Sequence, residues 1–255
     1  MKYFVTVCIL LSPFFSLSQE IKEIEILLIQ SYSKINFWSM PDRDPSGDSL
    51  IQANDKFEKL LLKYTSTNNE TLTYPFKTLR DSGISILTSK DGKLRIYSWN
   101  TFTGGTMQFY RNVFQFKGSK SIHSKTILNY SQDEDPDCFY HSLSELRVGQ
   151  NSYYITLSLA VGSSAIYYHT AKIFSIKGEN LDDKAKLIKT KSGMKNEVGY
   201  EIDLHYTDIS EDLMKMYPEY DTHKQIIILP LVDENGRITE KKINYKFNGS
   251  LFQKT

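Results

Sequence analysis

The chain has 255 residues, with 31 Lys and Arg set against 30 Asp and Glu, for a formal net charge of +1. A balance this close gives no electrostatic basis for binding nucleic acid or an anionic membrane surface. Aromatic residues make up 13% of the chain, with 17 Tyr and 14 Phe, a bias that favours pleated, half-buried sheet.

The first eighteen residues read as a secretory signal peptide. Lys2 supplies the positive start, Tyr3 to Leu11 is apolar apart from Thr6, and Ser12-Pro13 breaks the run. Ser16 and Ser18 then place small residues three and one before a cut after Ser18. The apolar run is too short to span a bilayer. The expectation is an exported protein, periplasmic, cell-surface-associated or extracellular, with no integral membrane segment after cleavage. Lys2 is the leader's one charged residue, so cleavage leaves acidic and basic residues equal in number. It also removes Cys8 and leaves Cys138 alone, which excludes an internal disulfide. Cys138 reads as a small buried hydrophobe. A nucleophilic role would need a partner such as His141.

Residues 19–66 read as a helical hairpin. Ile21, Ile24, Leu28, Tyr32 and Ile35 recur at spacings of three and four, and Glu20, Glu23 and Glu25 suit the start of a helix. After Met40-Pro41, a second stripe runs through Leu50, Ala53, Phe57, Leu60, Leu61 and Tyr64, with Ser49 and Gln52 spaced as a capping box. Residues 67–255 read as an antiparallel β domain. The period becomes two near Ile84, and Asp91-Gly92 is a tight turn before a strand from Leu94 to Trp99. Strand-like runs follow over Met107–Phe116, Ser121–Tyr130, Tyr153–Val161, Ala165–Ile176, Ala185–Thr190 and Val198–Tyr206. A final hairpin joins Ile226–Val232 to Ile238–Phe247 through Asn235-Gly236. Phe139, Leu143 and Leu146 fit helix or strand, and Ser210–Tyr217 fits a short helix. The class is therefore α+β, a two-helix hairpin followed by a large antiparallel meander. The alternative is a partial propeller-like or two-sheet all-β arrangement.

Each motif that carries chemistry has a plainer account. Asp42-Arg-Asp44-Pro-Ser46-Gly47 opens like a calcium loop, but position twelve is Ala53, and a polar turn whose Asp48 and Ser49 cap the second helix suffices. Asp133, Asp135 and Asp137 are weak candidates for a hard cation, with Cys138 where the loop glycine belongs and Ser144 at position twelve. No HExxH pattern occurs among His123, His141, His169, His205 and His223, though His169 and His205 lie in strand-like runs that could bring them together. Gly162-Ser163-Ser164 lacks the flanking glycines of a nucleophile elbow and reads as a hairpin turn. No cofactor is expected.

Aromatic pairs remain. Adjacent rings in a strand point to opposite faces, so Trp99, Phe102, Tyr110, Tyr154 and Tyr168 are the candidate ligand-binding residues of an outward sheet face. The expectation is a non-catalytic exported or envelope-associated protein binding a glycan, peptide or protein. Its competitor is an exported hydrolase whose acidic and histidine groups converge only in the fold.

Overall fold

The computed structural model describes residues 12–127, 137–206 and 216–255, with side chains in the first helix from Gln19 onward. Helix α1 spans Ser12–Trp38 and α2 spans Asp48–Thr67. The stripe Ile21, Ile24, Leu28, Tyr32 and Ile35 is buried against Leu50, Ala53, Phe57 and Leu61 of α2. Asn68, after the end of α2, donates to Glu20 near the start of the stripe at 3.5 Å, so the helices run antiparallel. Two local expectations change. Gly47 in the left-handed region, not Ser49, is the N-cap of α2, and Asp44 reaches past it to accept from the Leu50 amide at 2.8 Å. Because α1 begins at Ser12, the glutamates do not lie in its first turn. Glu25 instead accepts from the amides of Thr78 (2.9 Å) and Leu79 (3.2 Å), capping a short helix α3, Lys77–Asp81, that the sequence pattern did not disclose.

Strands β1 (Ser85–Thr88), β2 (Leu94–Asn100), β3 (Tyr110–Lys117) and β4 (Ile122–Lys125) form the first sheet, an antiparallel meander in chain order. In the second sheet, β5 (Phe139–Val148), β6 (Asn151–Val161) and β7 (Ile166–Lys177) make another meander. The short β8 (Asn180–Asp182) and then β11 (Glu197–Asp203) pair with β7. The third sheet has the order β10 (Gly193–Lys195), β9 (Ile188–Thr190), β15 (Phe252–Lys254), β14 (Ile238–Phe247), β13 (Ile226–Val232), β12 (Glu219–Asp221). Among the described strands every pairing is antiparallel except β15 with β9. Phe139, Leu143 and Leu146 belong to a strand. The expected helix over 210–217 falls mostly outside the described residues, as do Asp133 and Asp135.

The layers stack face to face and do not radiate as propeller blades. Tyr97, Trp99 and Val113 of the first sheet pack on the helices. Its opposite face, with Leu94, Ile96, Phe114 and Phe116, meets Tyr140, Tyr154 and Phe174 of the second. The far side of the second sheet, Leu146, Ile155, Leu157, Ala171 and Ile173, packs on Ile188, Ile227, Leu229 and Phe252 of the third. The order is helices, sheet, sheet, sheet. Two of these sheets are therefore covered on both sides, as in β2, where six consecutive residues from Leu94 to Trp99 are buried.

Candidate functional site

Of the five aromatic candidates, the stack hides two. Trp99 is fully buried between sheet and helices, where Phe57 meets it edge-on and its Nε1 donates to Asn54 at 3.0 Å. Tyr154 is fully buried between the first two sheets, and its hydroxyl donates to Asp91 at 3.0 Å. Neither stands on an outward face, because the strand's opposite face is covered too. Tyr110 is half-buried against Phe139 and donates to Gln108 at 2.7 Å, while burial pushes its phenol up to about 12. Phe102 and Tyr168 are the exposed members, each 42% accessible.

The nucleophile candidates are placed against that role. Cys138 lies between Tyr140 and Ser158, and burial followed by the charge of Asp137 pushes its thiol up to about 12. A thiolate at neutral pH is thereby disfavoured. Asp137 accepts from Asn112 at 3.0 Å. Ser163 closes the β6–β7 turn by accepting from the amides of Ala165 (3.1 Å) and Ile166 (3.0 Å).

His169 does not meet His205, which points to solvent beside Asp203. It shares the ring of Tyr217 with His141, which stands at the bulge in β5. Both imidazoles stand edge-on to Tyr217, with ring centres 5.6 Å away for His141 and 5.0 Å for His169, and Tyr200 stacks on His169 at 5.3 Å. Among the described residues, neither nitrogen of His169 has a hydrogen-bond partner, nor does Nε2 of His141. Burial, and then the proximity of His141, brings His169 down to about 4; burial lowers His141 as well.

A serine, a histidine and a carboxylate also meet, at Ser121, His123 and Glu179. Both Ser121 Oγ (3.1 Å) and Glu179 Oε2 (2.6 Å) approach the same nitrogen, His123 Nε2. A proton relay needs the acid on one ring nitrogen and the nucleophile on the other, so this is a clamp. Glu179 also accepts from Ser119 Oγ (2.5 Å), the Lys120 amide (2.7 Å) and Ser121 Oγ (2.9 Å). The hydrogen bond from His123, then that from Ser119, holds its carboxyl well below the usual range. From the β7–β8 turn, Glu179 thus fixes the loop between β3 and β4.

That loop forms one wall of a cleft of about 640 Å³. A second wall is the end of α2 and the turn after it, with Ser66, Thr67, Asn69 and Thr73. The third is the β1–β2 turn, where Gly92 at φ 67° allows the tight reversal. Lys93, Lys117 and Lys120 line the cleft together with one carboxylate, Asp91. The backbone sets two of the lysines side by side, since the Lys117 amide donates to the Lys93 carbonyl at 2.8 Å. Asp91 is engaged by three protein donors, Ser89 Oγ (2.7 Å), the Lys93 amide (3.1 Å) and the Tyr154 hydroxyl (3.0 Å). The ammonium groups of Lys93, Lys117 and Lys120 have no ion-pair partner among the described residues. The cleft therefore offers positive charge and small hydroxyl and amide groups, while its one carboxylate is already occupied. Sequence reasoning missed it because three distant segments supply it. The available signal was lysine beside each hairpin turn, which also fits an ordinary solvated loop.

No family model, curated protein or solved structure matches this chain.

Proposed function

We propose that the protein is an exported, non-catalytic binding protein whose ligand is a polar anion held in the lysine cleft. One observation carries the reading: three lysines with no ion-pair partner among the described residues line a cleft with a single carboxylate, and that carboxylate is already held by internal hydrogen bonds. Charge that is complementary to a ligand and unspent within the protein is what an anion site requires. The cavity volume falls in the range of small-molecule sites, roughly 300–1,000 Å³. The hydrolase alternative is weakened by the shared nitrogen at His123, the raised Cys138 thiol and the burial of His169. Export is supported by the leader pattern, and a cut after Ser18 would leave every core residue of α1 from Ile21 onward in the mature chain.

Calorimetric titration with citrate at low salt tests the site. Binding is expected, together with its loss in the Lys93→Ala/Lys117→Ala double variant. Citrate binding that survives the double substitution, or no citrate binding at all, would remove the proposal. Export is tested separately by N-terminal sequencing of the protein from an expressing host, which should begin at Gln19. An intact Met1 would rule out the leader.

A further inference from the structure

The lysine cleft meets a second depression at Asp91. There a shallower groove of about 390 Å³ is lined by Lys90, Asp91, Glu145 and Arg147. Its acids are as occupied as Asp91. Glu145 accepts from Arg147 Nε at 2.8 Å and from Ser152 Oγ at 3.4 Å. Arg147 engages that acid through Nε and leaves most of its side chain in solvent, at 71% accessibility. Lys90 is exposed at the crest of the turn between the two depressions. Cationic groups therefore follow a path, with Lys117, Lys120 and Lys93 in the cleft, Lys90 on the turn and Arg147 beyond it.

We propose that cleft and groove together bind one extended acidic oligosaccharide, a chain of uronate units whose carboxylates are spread along its length. This rests on the cleft being an anion site and goes further in naming the ligand. Charges distributed over two adjoining depressions match charges distributed along a chain, whereas a compact anion would use the cleft alone. Asn69 supplies an amide, and Ser66, Thr67 and Ser121, whose hydroxyl protons go to the Lys63 carbonyl and to Glu179, offer oxygens that accept from sugar hydroxyls. Four of the five cations are lysines, point charges that suit anionic groups spaced along a chain without requiring bidentate geometry. Neither depression has an aromatic side chain in its lining, so the stacking platform that single-stranded nucleic acid uses is missing.

The experiment is calorimetric titration with galacturonate dimer, tetramer and hexamer, neutral maltohexaose, single-stranded oligothymidylate and citrate, at low salt because these interactions are screened. Lys117→Ala and the Lys90→Ala/Arg147→Ala pair are compared with the parent, circular dichroism confirming that each folds. The uronate hexamer should bind about tenfold or more tightly than the dimer, since a linked second contact acts at high effective concentration. Lys117→Ala should weaken every uronate and citrate. Lys90→Ala/Arg147→Ala should weaken the hexamer by about tenfold and leave the dimer unchanged. A hexamer no tighter than the dimer, or indifferent to the Lys90/Arg147 pair, overturns the inference; citrate binding that still depends on Lys117 would then leave the cleft proposal standing. Oligothymidylate binding more tightly than the hexamer, or maltohexaose binding equally well, overturns it too. Absence of any Lys117-dependent binding removes both.

Discussion

His169 gives the sharpest quantitative prediction, because its two ring nitrogens are buried without partners among the described residues and only 1% of the residue is accessible. In the unfolded chain its imidazole gains a proton near the ordinary value of 6.5, and in the fold only near about 4. A folded-state value below the unfolded one means that the native state resists protonation. Stability is complete above pH 6.5, falls as pH drops through the interval down to about 4, and levels off below it. That interval corresponds to about 3 kcal/mol. Among the described residues, the titratable groups facing the ring are His141 from β5, Tyr200 from β11 and Tyr217, and none is a carboxylic acid that could receive the charge. The Tyr200 and Tyr217 rings would offset about 1 kcal/mol through cation–π attraction, leaving about 2 kcal/mol. Urea denaturation at several pH values between about 7 and 4 measures this when the parent is compared with His169→Leu, which cannot titrate. Acids common to both proteins, such as Glu179, cancel. The parent should lose about 2 kcal/mol more than the variant over that range. Parallel losses would show that the ring is solvated or finds a partner, and the argument from burial would fail.

Two further outcomes test the interior. Asn54 is fully buried, donates to the carbonyls of Leu50 (3.0 Å) and Thr101 (2.9 Å), and accepts from Trp99 at 3.0 Å. Asn54→Leu would orphan the Trp99 N–H and the Thr101 carbonyl and should cost about 2–4 kcal/mol in urea unfolding; a loss below about 1 kcal/mol would mean the network is dispensable. Cys138, with its thiol up near 12, should be alkylated by iodoacetamide far more slowly in the native protein than in urea. Equal rates would place the thiol in solvent.

The helical faces and the strand periods could be read directly from the residues. The stripe from Ile21 to Ile35 needed only spacing, and the hairpin from Ile226 to Phe247 was bounded by Asn235-Gly236, whose glycine takes φ 80°. Period two tells which residues share a face, but not whether the other face meets water. At Trp99 and Tyr154 both faces are covered, so the alternation holds while neither face opens to water. Helix α3 was hidden because its N-terminus is satisfied by Glu25, some fifty positions earlier, rather than by a neighbouring cap. The same non-locality conceals the cleft. Lys93 and Lys117 become neighbours only through the pairing of β2 with β3, and Lys120 joins them because Glu179 holds its loop.

The three sheets also differ in when they can come into being as the chain emerges. The first is built from consecutive strands and can close as soon as Lys125 has appeared. The third cannot. Strand β9 pairs in parallel with β15, so Ile188 waits for Phe252 through the whole of the intervening β10–β14. Pairings so distant in sequence form slowly, because the loop must be closed before the contact rewards it. A chain threading through a narrow passage from its N-terminus would thus keep its last layer open, and its C-terminal hairpins unsealed, until nearly all of it had passed.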